Sequence, residues 1–172
     1  PALTAAMDRA AAAHGPLRVL VNNAANDTRA VAAEITPAVW DRSLAINLDA
    51  YFHASRHAAA MMRGAGGGAI VNFSSITWMM GMAGTAAYVT ANAGITGMTR
   101  ALAREWGPDR IRVNAVAPGW VFTERQLRLW ATLEAVAEFL PRQCLPDRMA
   151  PEDMVGPVLF LASDARRMVT GQ

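Results

Sequence analysis

The sequence predicts a doubly wound α/β fold, a parallel sheet with helices on both of its faces. Three short apolar runs carry that expectation: LRVLV (Leu17 to Val21), AIVNFSS (Ala69 to Ser75) and IRVNAVAPG (Ile111 to Gly119) have the length and β-branching of strands. Each ends in a polar or kinked loop, at Asn22-Asn23-Ala24-Ala25, Ser74-Ser75 and Pro118-Gly119. Alanine-rich stretches of helical length separate the runs, and strand alternating with helix implies parallel strands joined by crossovers.

Taken in order, ALTAAMDRAAAAHG (Ala2 to Gly15) is an alanine-rich helix without the charged start of a signal peptide. LRVLV is expected to be a strand buried on both faces. Thr36-Pro37 supplies an N-cap and a proline at the first helical position, and the helix continues through Trp40, Leu44, Leu48 and Phe52 towards Met62. Gly64 to Gly68 ends it, in a flexible turn that follows a helix and precedes a strand, the opposite polarity to a phosphate-binding loop. Ala87 to Trp106 is the next helix, after which IRVNAVAPG stops at a Pro-Gly turn. Leu127 to Leu140 reads as a helical lid over the last loop, and a final helix starts at Pro151, with Glu152 and Asp153 in its first turn, and runs to about Ser163.

With 172 residues, of which 53% are hydrophobic, the chain suffices for one domain, residues 1–172, around a continuous core. No apolar run approaches the roughly 18 residues of a membrane span. The net charge is +2 and the sixteen basic residues are scattered, which argues against a nucleic-acid surface. All sixteen are arginine. Cys144, the only cysteine, has no internal partner and reads as structural, and no Cys/His cluster suggests a metal, so a reducing, cytoplasmic setting is expected. His53 and His57, one turn apart, read as surface or interface residues.

In open parallel sheets ligands bind beyond the carboxyl ends of the strands, where Asn22 to Ala25, Ser74-Ser75 and Pro118-Gly119 converge. Asn47 sits in mid-helix within AINLDAY, and Tyr88 follows Ser75 by thirteen residues. In this order, NNA, Asn47, Ser75, Tyr88 and PGW, with IVNFSS, Thr123 after PGWVF, and LFLASD near the end, resemble the short-chain dehydrogenase/reductase family over essentially the whole chain. NNAANDTR, the Trp78-Met79-Met80 loop and PGWVFTERQ are most similar to bacterial aldose dehydrogenases within it.

The resemblance implies a Rossmann-type sheet and hydride transfer between a nicotinamide and a carbinol, with Tyr88 as acid/base. Ser75 would hold the substrate oxygen, and Asn47 would anchor a water in the proton relay. Asn23, Ala24, Ala25, Tyr88, Pro118, Gly119, Val121 and Thr123 would line the cofactor. Trp78, Met80, Trp120, Gln126 and Trp130 would wall the substrate pocket, with Asn26, Asp27 and Gln143 as partners for sugar hydroxyls. NAD or NADP is implied, NAD being favoured by the sugar-dehydrogenase likeness, and the two long helices would form the interface of a dimer or tetramer.

The sequence departs from the family in two ways. The family's helix reads tyrosine, three residues, lysine; this one reads Tyr88, three residues, Asn92, and the chain has no lysine elsewhere. Asn92 shares a helix face with Tyr88 and can donate a hydrogen bond to a ribose hydroxyl, but it supplies no charge. The glycine-rich turn after the family's first strand is not in this sequence, and Ala25 stands where a glycine is usual. The expectation is a fold lacking its first strand-helix units and its last strand. Two other readings follow: a catalytically silent homologue serving as a binding or assembly subunit, and a 3-oxoacyl-thioester reductase.

Overall fold

The structure is a computed structural model and describes residues 2–172. Its sheet has three parallel strands in the order β1 (Val19–Asn22), β2 (Gly68–Phe73) and β3 (Ile111–Val116), with Asn22 level with Asn72 and Val71 level with Asn114. The helices are α1 (Ala2–His14), α2 (Pro37–Leu44), α3 (Ala50–Gly64), α4 (Thr77–Met80), α5 (Ala86–Trp106), α6 (Glu124–Leu129), α7 (Leu133–Phe139) and α8 (Val155–Ala162).

One sheet face is covered by α3 and α5. Ala54, Ala58, Ala59 and Met62 of α3 pack with Leu102, Ala103 and Trp106 of α5 against Ile70, Ile111 and Val113. The small alanines let the helices approach the sheet closely, and each fully buried Ile or Met contributes roughly 1.5–3 kcal/mol. Alternation along β3 turns Arg112 to the opposite face, where its guanidinium donates to the carbonyls of Leu161 (2.6 Å) and Ser163 (3.0 Å) and so caps the end of α8. Helices therefore lie on both faces, as the alternation of elements implies.

A second polar device joins layers within the core. Asn22 Nδ2 donates to Ser55 Oγ of α3 (3.0 Å) and to Asn72 Oδ1 (2.8 Å), and Asn72 Nδ2 donates to Thr99 Oγ1 of α5 (3.0 Å). All four side chains are buried. The row fixes the register of β1 against β2 near the carboxyl ends, since slipping by one residue would leave buried amides unpaired.

Several elements differ from expectation for identifiable reasons. β1 is not buried on both faces: Val19 and Val21, which alternation puts on one face, are each 41% exposed among the described residues. The long helix from Pro37 is interrupted by a π-turn at Ala45–Asp49, centred on buried Asn47. The lid consists of two short helices, α6 and α7, broken at Trp130 to Thr132, where Thr132 caps the second. The last helix opens with a 3₁₀ turn at Pro151–Met154 before α8. Cys144 is exposed and free, so it is not a packing residue. Gly67 and Gly68 are needed where α3 returns to the sheet: Gly67 has φ +119°, and a Cβ on Gly68 would stand 2.7 Å from the Arg18 carbonyl oxygen. Beyond β3 in space, Gly171 N donates to Val113 O and Ala115 N donates to Gln172 O.

Candidate active site

The loops after the three strands are tied together before any side chain enters the account. Ser74 N donates to Val116 O (2.7 Å) and Ile76 N to Pro118 O (3.2 Å), which joins the β2 and β3 loops. Ala30 N donates to Gly84 O (2.9 Å), which joins the β1 loop to the turn that precedes α5. Asn47 fastens the β1 loop to the π-turn: its Oδ1 accepts from Asn26 N (2.8 Å), and its Nδ2 donates to Asn26 O and Ser43 O (both 3.0 Å). A mid-helix asparagine is poorly suited to an α-helix, and the widened turn accommodates it facing the loop.

These loops enclose a cavity of about 650 Å³, within the range of small-ligand sites. Asn47, Ser75, Tyr88 and Asn92 all line it, as do Asn23, Ala25, Pro118, Gly119, Val121 and Thr123 from the nominated cofactor side. Ala24 is not on its wall. On the substrate side Met80, Trp120, Gln126, Trp130 and Asp27 line it, whereas Trp78 does not reach the cavity. Trp78 lies on α4 and is partly buried, with its indole N–H unpaired, as is that of Trp130. Asn26 spends its carboxamide oxygen on Thr28, and Gln143 donates to Leu145 O and Asp147 O, so neither faces the cavity.

Ser75 is held in a defined orientation. Its Oγ accepts from Thr77 N (3.2 Å) and Thr77 Oγ1 (3.0 Å), which leaves its own proton to donate. Burial pushes the Tyr88 phenol above its ordinary value; hydrogen bonding to Ser75 and to Asn92 pulls it back, and the Asp27 carboxylate adds to the rise. No cation contributes to lowering it. Burial also raises Tyr51, which shares the cavity. Asn92 is buried and donates one N–H to the Tyr88 carbonyl (2.9 Å), while its own carbonyl accepts from Ser74 Oγ (2.9 Å). Its side-chain amide also faces the cavity, beside the Tyr88 phenol. A nicotinamide-ribose fits this donor set: hydroxyl and amide groups at Tyr88 and Asn92, and the close-packed backbone of Pro118 to Val121 opposite.

Sequence reasoning passed over Thr77, Tyr51, Arg29 and Arg125. Thr77 had a local signal, because a hydroxyl two residues after Ser75 has the spacing of a Ser/Thr turn. Arg125 had none: it donates to Asp27, 98 residues away.

A family model described as Enoyl-(Acyl carrier protein) reductase matches residues 1–172. A probable galactose dehydrogenase of Rhizobium meliloti (strain 1021) is 50% identical over 171 residues, covering 99% of this chain and 67% of its own. A D-xylose 1-dehydrogenase of Caulobacter vibrioides is 48% identical over 157 residues, covering 91% of this chain and 63% of its own. A solved structure described as a short-chain alcohol dehydrogenase from Sinorhizobium meliloti 1021 superimposes with TM-score 0.94 at 34% identity, over 99% of this chain and 68% of that one. The chain thus spans about two thirds of the length of these relatives.

Proposed function

The chain belongs to the short-chain dehydrogenase/reductase family, and from that premise we propose that it is an oxidoreductase moving a hydride between NAD or NADP and a CH–OH carbon of a sugar or related alcohol. The observation that carries this reading is the meeting, in one cavity, of a partly buried phenol and the serine hydroxyl that hydrogen-bonds to it, with Trp120, Trp130 and Gln126 on the same wall. Aromatic faces beside amide and carboxylate groups suit the alternating apolar and hydroxylated surfaces of a sugar. The names of the galactose and xylose dehydrogenase relatives support the same substrate class.

The bound nicotinamide supplies the hydride acceptor or donor. Ser75 donates its proton to the substrate oxygen and fixes it beside Tyr88. In the oxidation direction Tyr88, as phenolate, takes the hydroxyl proton; in reduction the neutral phenol returns it. Asn47 keeps the β1 loop in place and anchors a water for the relay, and Asn92 turns its amide to a ribose hydroxyl when the cofactor is bound. Asn23, Ala25, Pro118, Gly119, Val121 and Thr123 contact the nicotinamide side of the cofactor, and the aldose-dehydrogenase likeness favours NAD. We assign the enzyme to the cytoplasm and to a dimer or tetramer built on the two long helical stretches, Pro37 to Met62 and Ala87 to Trp106. No helix is long and apolar enough to cross a membrane among the described residues.

Coenzyme reduction over a panel of aldoses, sugar acids and a 3-oxoacyl thioester tests this reading. NAD- or NADP-linked turnover of an aldose, lost in Tyr88→Phe, is expected. Nicotinamide binding absent by fluorescence titration, or turnover confined to the thioester, would overturn it.

A further inference from the structure

The hydrogen bonds at the cavity mouth run in one direction and end on one residue. Trp120 Nε1 donates to Gln126 Oε1 (2.9 Å), and Gln126 Nε2 donates to Asp27 Oδ2 (2.6 Å). Arg125 donates to Asp27 Oδ1 through Nη2 (2.7 Å) and through Nε (3.3 Å). Two residues further along the same loop, the Arg29 guanidinium lies 4.0 Å above the Trp130 ring. The β1 loop and the segment from Trp120 to Trp130 are therefore fastened by polar contacts over a sequence separation of almost one hundred residues.

Trp120 and Phe122, ahead of α6, are held by aromatic packing, Trp120 stacking on Phe122 (ring centroids 4.9 Å) and meeting Phe139 edge-on (5.2 Å), but apolar burial does little to hold α6 itself. None of the six residues of α6 is buried, and Leu127 and Leu129 are 50% and 41% exposed. A helix of six residues is also far too short to persist by its own propensity. What keeps α6 against the site is the carboxylate, together with the Thr123 cap at its start.

We propose that Asp27 is a positioning residue for the substrate wall: by accepting from Arg125 and Gln126 it docks α6 at the cavity that Ser75 and Tyr88 also line, and through Gln126 it ties α6 to the Trp120 indole. Both of its oxygens are taken by α6, so Asp27 acts through the groups it gathers. What the wall then offers a substrate is mainly donors: the second N–H of the Gln126 amide and the remaining guanidinium N–H groups of Arg125. Such a wall selects ligands rich in acceptor oxygens. The kinetic consequence rests on the oxidoreductase reading, whereas the docking of α6 does not.

The test compares the wild-type chain with Asp27→Asn, Asp27→Glu and Arg125→Met by amide hydrogen exchange and by sugar kinetics. Asp27→Asn keeps the shape of the side chain but turns an acceptor towards the Gln126 amide into a donor or a neutral oxygen. Its amides at 124–129 should exchange about tenfold faster or more, while those of β2 and α5 hold their rates and show the fold intact. Arg125→Met should reproduce part of that rise, and Asp27→Glu should restore part of the protection. For the sugar, KM should rise about tenfold while kcat changes far less, the mark of a lost binding wall. Wild-type exchange at 124–129 in Asp27→Asn would overturn the proposal, and so would a fall in kcat with KM unmoved. If the chain turns over no sugar, the oxidoreductase reading fails, yet the exchange arm still decides whether Asp27 docks α6.

Discussion

Replacing Asn92 by lysine should lower the pKa of Tyr88 by about two pH units. Residues 88 and 92 are neighbours on one face of α5, with Cβ atoms roughly 5–6 Å apart. A unit charge about 6 Å from the phenolate, at an effective dielectric of about 20, interacts by 332/(20 × 6), or about 2.8 kcal/mol, and 1.36 kcal/mol corresponds to one pH unit. Burial of the new ammonium works against this, so two is an upper figure. The chain has only two tyrosines, Tyr51 and Tyr88, and burial raises both. In a Tyr51→Phe background the near-ultraviolet absorbance of phenolate thus reports Tyr88 alone. Tyr51→Phe and Tyr51→Phe/Asn92→Lys would be titrated side by side, with circular dichroism following the fold. Turnover of the sugar near neutral pH should rise about tenfold to a hundredfold along with the phenolate fraction. A titration midpoint unmoved within about half a pH unit, in a protein still folded, would refute the electrostatic account of this site.

Other expectations follow from the core and the site. Asn72→Ala strips the amide that joins Asn22 to Thr99, and the loss of two buried hydrogen bonds should cost about 2–4 kcal/mol, read as a lower denaturation midpoint in urea. Arg112→Met removes the donors that satisfy the terminal carbonyls of α8, and faster hydrogen exchange at 155–162 with a loss of about 2–3 kcal/mol is expected. Because the folded pKa of Tyr88 lies above its unfolded value, its contribution to stability is full below the unfolded value, near 10, and is lost as pH rises through the folded one; urea midpoints should fall in that alkaline window, and less in Tyr88→Phe.

The parts of this molecule legible in its sequence are those set by local periodicity. β2, β3 and α5 come from apolar runs and helical spacing that no tertiary contact overrides, and Ser75, Tyr88 and Asn92 lie on the cavity because strand ends and a shared helix face put them there. The errors lie where a distant partner decides. β1 looks like a strand buried on both faces, and the exposure of Val21 depends on what packs over its face of the sheet. Asn47 suggests a role in a helix, but the widening of that helix into a π-turn depends on the backbone of Asn26, twenty-one residues earlier. Trp78 and Trp120 are both tryptophans beyond strand ends, and only their tertiary placement puts Trp120 on the cavity wall and leaves Trp78 off it. Asp27 read as a partner for sugar hydroxyls; α6 takes both of its oxygens instead.

The same contacts that shape the cavity also bias its chemistry. Desolvation of Tyr88 and the nearby Asp27 carboxylate favour the neutral phenol, and the hydrogen bonds from Ser75 and Asn92 oppose them only in part. Near neutral pH the residue is then almost wholly protonated, because even an unperturbed tyrosine has a phenolate fraction on the order of a thousandth there. A protonated Tyr88 is ready to give a proton to a carbonyl oxygen and unready to take one from an alcohol. If Tyr88 is the acid/base of the proposed oxidoreductase, carbonyl reduction is expected to be the faster direction near neutral pH and alcohol oxidation to gain as the pH climbs, which initial rates in the two directions against pH would check. Asp27 sits on both sides of this balance: it holds the substrate wall through α6, and its charge makes the Tyr88 phenolate harder to form.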